Sequence, residues 1–296
     1  MKELTLGFGK QLFKALGQYL TREVDATKRP FLCDFDRICH EIIPGDVLLI
    51  EGNNRISRVI KRITYSHWTH SALYIGRLHS IEDPQTRHIV RKYYHGPAGD
   101  QLLIESLIGQ GTVIRPITEY KTHHIRICRP VGLSHSDAQK VITAAVHHVG
   151  HKYNIRHFID LGRFLLSSHL LPKRWKSSLF YERPGKASHD ICSSMIAEAF
   201  TSVNFPILPL VRQSNQKKLE MIHRNPKLFT PSDFDYSPYF AIIKYPIFSF
   251  SGRGPYHDLP WREGVVSNDE GNIQPLSEKD PHATPNPSDP DEKKNR

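Results

Sequence analysis

Apolar residues gather in short runs through the middle of the chain, separated by turn signals, and become sparse toward residue 296. Val47 to Ile50 is a continuous apolar run behind a Pro44-Gly45 turn, the pattern of a buried strand. Ser71 to Ile75 has the same character and stops at Gly76; Gln101 to Ser106 and Gly111 to Pro116 follow, and His124 to Cys128 alternates. Strands this short and this closely spaced pair most economically antiparallel. Helical spacing marks Ile56 to Ile63, which is basic, a segment from Ser134 or Ser136 through about Val149, residues 155–171, and Cys192 to Phe200. Residues 1–22 read as an amphipathic helix. The polar stretch 79–100 reads as a hairpin excursion, Phe205 to Pro209 as a surface turn, and 229–249 as a loop leading into a final strand. The pattern predicts an α+β protein, an antiparallel sheet packed on helices. Its expected divisions are an N-terminal amphipathic helix and lead-in (1–40), a main domain (41–262) and a disordered tail (263–296) too polar to bury a core.

Composition narrows the function. The apolar fraction of 39% and charged fraction of 24% suit a soluble globular chain, and the net charge of +10 favours an anionic partner or surface. Four cysteines without a C-x-x-C pair argue against both a disulfide scaffold and a structural zinc site. Eighteen histidines keep a metal site conceivable, but His123-His124 and His147-His148 are neighbours and do not share one face of a regular element. No metal or cofactor is expected. Lys10 and Lys14 interrupt any signal-peptide core, and no apolar run reaches the roughly 18 residues that span a bilayer. The expected location is cytoplasmic. Residues 1–22 could dock on the protein's own core or rest peripherally on an anionic membrane. Basic segments 55–62 and 173–176 carry no recognition motif, so nucleic acid is not an expected partner.

One cysteine stands in a chemically useful place. Cys192 follows a polar loop and opens a helix, where the dipole and unpaired N–H groups favour thiolate. The plainer reading is a small buried hydrophobe. A nucleophile also needs a base and the base an orienting group. His67 and His70 compete for the first role; His70 directly precedes a strand, whereas His67 lies in the loop before it. Glu105, at the end of an apolar strand, could reach across the sheet to fix the imidazole tautomer, or be a solvated strand end.

The blocks HSALYIG (His70), LLIES (Glu105) and ICSSMIAEAF (Cys192), in this order, resemble the circularly permuted papain-like hydrolases of the YiiX and YaeF type. These belong to the NlpC-type superfamily, which includes lecithin–retinol acyltransferase. PGDVLLIEG, the Ser66-to-His70 approach and Pro231-Ser-Asp-Phe234 add to the likeness, which covers roughly residues 42–245. It implies the permuted papain-like fold, with the nucleophile helix packed on the sheet, and Cys192 as nucleophile, His70 as base and Glu105 as third member. A G-x-x-Y element, matched by Gly150 to Tyr153, implies Tyr153 as an oxyanion donor beside the Cys192 N–H. The implied activity is thioester-forming hydrolysis, or acyl transfer, on a small-molecule, peptide or lipid amide or ester. A catalytically inactive binding module at a membrane surface is the competing expectation. A secretion signal of the kind common in the bacterial examples is not expected from residues 1–22, and the 154–191 segment reads as an elaboration; both bear on substrate rather than chemistry.

Overall fold

The computed structural model describes residues 33–150, 192–213, 218–247, 259–267 and 273–275. The readings for 1–22, 155–171, the basic linker 172–190 and Tyr153 lie outside these. The chain divides into two units; the described residues up to Ile247 belong to the first, and those from 259 to the second.

In the first unit, Pro44 and Gly45 make the turn that feeds strand β1 (Val47–Glu51). Gly45 sits at φ +97°, and a Cβ there would come within 3.3 Å of Ala138 Cβ, so the turn needs glycine twice over. Asp46 is fully buried and accepts from Ile43 N–H and from Arg129 Nε and Nη2, tying this turn to the strand carrying Arg129. β1 lies inside a six-stranded antiparallel sheet with β2 (His70–Gly76), β3 (Leu102–Leu107), β4 (Gly111–Pro116), β5 (His124–Pro130) and β8 (Phe240–Ile243), in the order β4-β3-β2-β1-β5-β8. Its continuous apolar run follows from burial on both faces: Val47 and Leu49 join one core cluster, Leu48 and Ile50 the other.

One face is covered by helices α4 (His135–Val146) and α5 (Cys192–Thr201), which pack on each other and, for α5, on β2 and β3. Ser134 caps α4 by accepting from Asp137 N–H at 3.1 Å. Phe200 of α5 meets Phe205 and Phe240, and Phe240 meets Phe234, all at ring separations of 5.3–5.7 Å. Phe234→Ala empties a fully buried site in this group and should destabilise the fold by about 3–5 kcal/mol in urea melts. Among the described residues the opposite face is covered by α1 (Phe35–Glu41) and the 3₁₀ turn Ile117–Tyr120. The basic helix α2 (Arg55–Thr64) begins at an Asn54 cap and ends at Tyr65 in the left-handed region.

Three local readings change, and two short ladders are present beside them. Residues 79–100 contain a helix, α3 (Pro84–Tyr93), not a hairpin: Asp83 caps it, Pro84 fits its first position, and Val90 reaches the core. Phe205 and Ile207 are buried, so the Pro-rich turn after α5 packs inward rather than lying on the surface. The loop before the last strand of the sheet holds helix α6 (Pro231–Tyr236), started by a Thr230–Asp233 capping box. A separate hairpin, β6 (Leu210–Gln213) with β7 (Leu219–Ile222), follows α5. In the second unit, β9 (Val265–Ser267) pairs with β10 (Ile273–Pro275), so the polar stretch from 263 carries a short ladder.

Candidate active site

Three elements bring the chemistry together. His70 is the first residue of β2, Glu105 the fourth of β3, and Cys192 the first of α5. β2 and β3 are sheet neighbours, and α5 packs across both. The helix start is tethered from behind, because Ser193 Oγ donates to Phe229 O at 2.6 Å. Cys192 is 6% exposed and Glu105 is fully buried. The sheet ladder and this tether hold all three groups, so little motion is needed to align them.

His70 Nε2 is hydrogen-bonded to Glu105 Oε2, which leaves Nδ1 for the thiol of Cys192. The same carboxylate oxygen accepts from Tyr120 Oη–H, while Oε1 has no partner among the described residues. Burial opposes a charged imidazole, but the neighbouring Cys192 and then Glu105, each by charge and hydrogen bond, push the His70 pKa up to about 10. Burial likewise opposes a thiolate at Cys192. The His70 charge and hydrogen bond, then the Ser71 backbone N–H and hydroxyl, outweigh it and bring the thiol below its ordinary range. Among the described residues Ser71 Oγ, which is buried, has no well-formed hydrogen bond, yet it lies close enough to the sulfur to favour its charge. Tyr120 stays protonated, since burial and then Glu105 hold its pKa well above the ordinary phenol value. The arrangement favours a thiolate beside a protonated imidazole, backed by a carboxylate.

His67, the competing base, is a solvent-exposed neighbour of Glu51 at 3.6 Å; the structure brings it to Glu51 rather than to the thiol. Sequence reading missed Tyr120 and Ser71. Tyr120 ends a one-turn 3₁₀ helix and has no periodic signature, whereas Ser71 follows His70 in HSALYIG and could have been noticed there. A surface recess of about 680 Å³ bordered by Glu82, Asp83, Gln139 and His147 shares no residue with this site. Among the described residues no cluster of His, Cys, Asp and Glu is arranged to hold a metal ion, and no helix is long and apolar enough to cross a membrane.

The pair has a pH signature. His70 holds its proton more tightly in the folded chain, which stabilises the fold below the ordinary value of 6.5 and is lost as pH rises through about 10. Cys192 loses its proton more readily when folded, which stabilises above the ordinary 9.0 and is lost as pH falls. Just below 9.0 each state therefore holds one proton on the pair, and the two slopes cancel. Between 9.0 and about 10 only the folded state keeps that proton, so stability falls by about 1 kcal/mol. Urea melts should show a steeper fall across this window in the wild type than in a Cys192→Ala, His70→Ala double variant, the difference being about 1 kcal/mol; the buried thiols of Cys33, Cys39 and Cys128, which also hold their protons more tightly when folded, contribute the same fall to both.

Residues 41–163 match the family described as permuted papain-like amidase enzyme, YaeF/YiiX, C92 family. The fold is the permuted papain-like one, with the histidine strand ahead of the cysteine helix. The matched stretch includes His70, Glu105 and Tyr153 and stops short of Cys192, so the cysteine enters on geometry. The family is one of amidases, which supports a cysteine-hydrolase activity. Among solved structures, metalloprotein yiiX from Escherichia coli O157:H7 is similar at a TM-score of 0.42 and 13% identity, over 68% of this chain and 96% of that one. No curated protein matches the chain.

Proposed function

We propose that this protein is a thiol-dependent amidase or acyl hydrolase. The Cys192 thiolate attacks an amide or ester carbonyl carbon, forming a C–S bond, and His70 gives its proton to the departing nitrogen or oxygen as that bond breaks. Glu105 holds the imidazole in line throughout. The thioester is then opened by water, with His70 taking the water's proton, or by another acceptor, which would make the reaction a transfer. Tyr153 is assigned to the developing oxyanion by its G-x-x-Y setting alone. The observation that carries the reading is a thiol at a helix start in contact with an imidazole whose other nitrogen is held by a buried carboxylate. The surplus of positive charge favours an anionic donor, or a donor presented at an anionic lipid surface that residues 1–22 would meet.

Competitive labelling tests it. Burial raises the thiol pKa of Cys33 and of Cys128, and burial followed by Asp36 pushes Cys39 up to about 11; Cys192 alone among the four moves down. Iodoacetamide at neutral pH, mapped by mass spectrometry, should modify Cys192 about 100-fold faster than the other three, and His70→Ala should remove that advantage. Equal labelling of all four would leave a papain-like binding module in place of an enzyme.

A further inference from the structure

The carboxylate at the centre of the site is shared in an unusual way. Glu105 Oε2 takes hydrogen bonds from both His70 Nε2 and Tyr120 Oη, while Oε1, equally buried, takes none among the described residues. Two donors on one oxygen compete for the same electron density, so each bond is weaker than it would be alone. Tyr120 is held in place independently of Glu105. It closes the 3₁₀ turn after β4, sits in the smaller core cluster with Ile117 and Ile125, and takes the His123 ring edge-on at 5.3 Å. Its ring is tilted against that of His70 at 6.3 Å. The charged or titratable groups facing it are His70 on β2, Glu105 on β3, Arg115 on β4, His123 before β5 and Cys192 on α5. Of these only Glu105 accepts its proton.

Resting on the thiol-hydrolase reading above, we propose that Tyr120 is a positioning residue that acts through Glu105 to set how readily His70 yields its proton to the leaving group. An imidazolium gripped too firmly by a carboxylate is a good partner for a thiolate and a poor general acid. Tyr120 draws negative charge from Oε2 and loosens that grip. It touches neither the substrate nor the sulfur in this role. Its effect falls on the step that needs a proton, not on the attack itself.

The test is the pH profile of Cys192 alkylation by iodoacetamide in the full chain, for wild type and Tyr120→Phe. Its upper inflection reports deprotonation of His70. With the phenol proton gone, that inflection should rise by about one pH unit, and cleavage of an anilide should fall about tenfold relative to a 4-nitrophenyl ester, whose leaving group needs no proton. Substituting 3-fluorotyrosine, a stronger donor that preserves shape, should move the inflection the other way and serves if Tyr120→Phe folds poorly. In a Glu105→Gln background Tyr120→Phe should shift nothing further. An inflection that stays put or falls in folded Tyr120→Phe overturns the inference while a fast-labelling wild-type Cys192 leaves the hydrolase reading standing. A wild-type Cys192 no faster than Cys39 overturns both.

Discussion

Cys192→Ala and His70→Ala should each lose at least about 10³-fold in turnover of any amide or ester the protein cleaves, with folding retained. The two losses should not add, because the thiolate and the imidazolium exist only together; the double variant should be about as inactive as either single one. Cys192→Ala removes one sulfur from a helix start that Ser193 still ties to Phe229, and His70 lies at a strand terminus. Neither change opens a large cavity. Circular dichroism and urea melts would establish that the variants are folded before their rates are compared. Turnover within about tenfold of wild type in either folded variant sinks the mechanism.

The second large effect concerns Glu105. Glu105→Gln keeps shape and an acceptor for Tyr120 but removes the charge that steadies the imidazolium. We expect a loss of about 10²–10³-fold in turnover and a Cys192 thiol that titrates closer to its ordinary range. Alkylation rate against pH measures the latter directly. Glu105→Ala should do more harm to the fold, about 3–5 kcal/mol, because it takes the acceptor away from the buried Tyr120 hydroxyl and the half-buried His70 ring. If Glu105→Gln retained wild-type turnover and thiol titration, the carboxylate would be a structural anchor only.

Much of this arrangement could be read from the chain, and the reasons are local. β1 announced itself because Val47 to Ile50 is apolar at every position, which only a strand buried on both faces requires. Cys192 stood out because helical spacing begins at that residue. The sequence favours His70 over His67 because His70 directly precedes an apolar strand run, and the strand pairing with β3 is what brings Glu105 within reach. What escaped notice depended on contacts between distant segments. Helix α3 is short and polar, and only Thr86 and Val90 of its side chains are buried, so it lacks the broad apolar content that marks α4 and α5 in the sequence. Phe205 and Ile207 look like turn residues beside two prolines until the aromatic group around Phe240 supplies the surface that buries them. Tyr120 is a single residue in a single turn. Its importance follows from which oxygen it reaches, and that is a property of the assembled sheet.

The order of strands also sets an order in time. The sheet runs β4-β3-β2-β1-β5-β8, so its β8 edge is laid against β5 by a segment made long after its partner. Synthesis proceeds from the N-terminus, and pairings across long sequence separations form slowly. The histidine, the carboxylate and the tyrosine therefore leave the ribosome before the cysteine they serve, and the Phe229 carbonyl that tethers the cysteine helix comes later still. A nascent chain holds either no thiol at this position or one not yet paired with its base. On the function proposed above, activation of the thiol waits for α5 to dock on β2 and β3, so the segments made first carry no primed nucleophile while the core is still open.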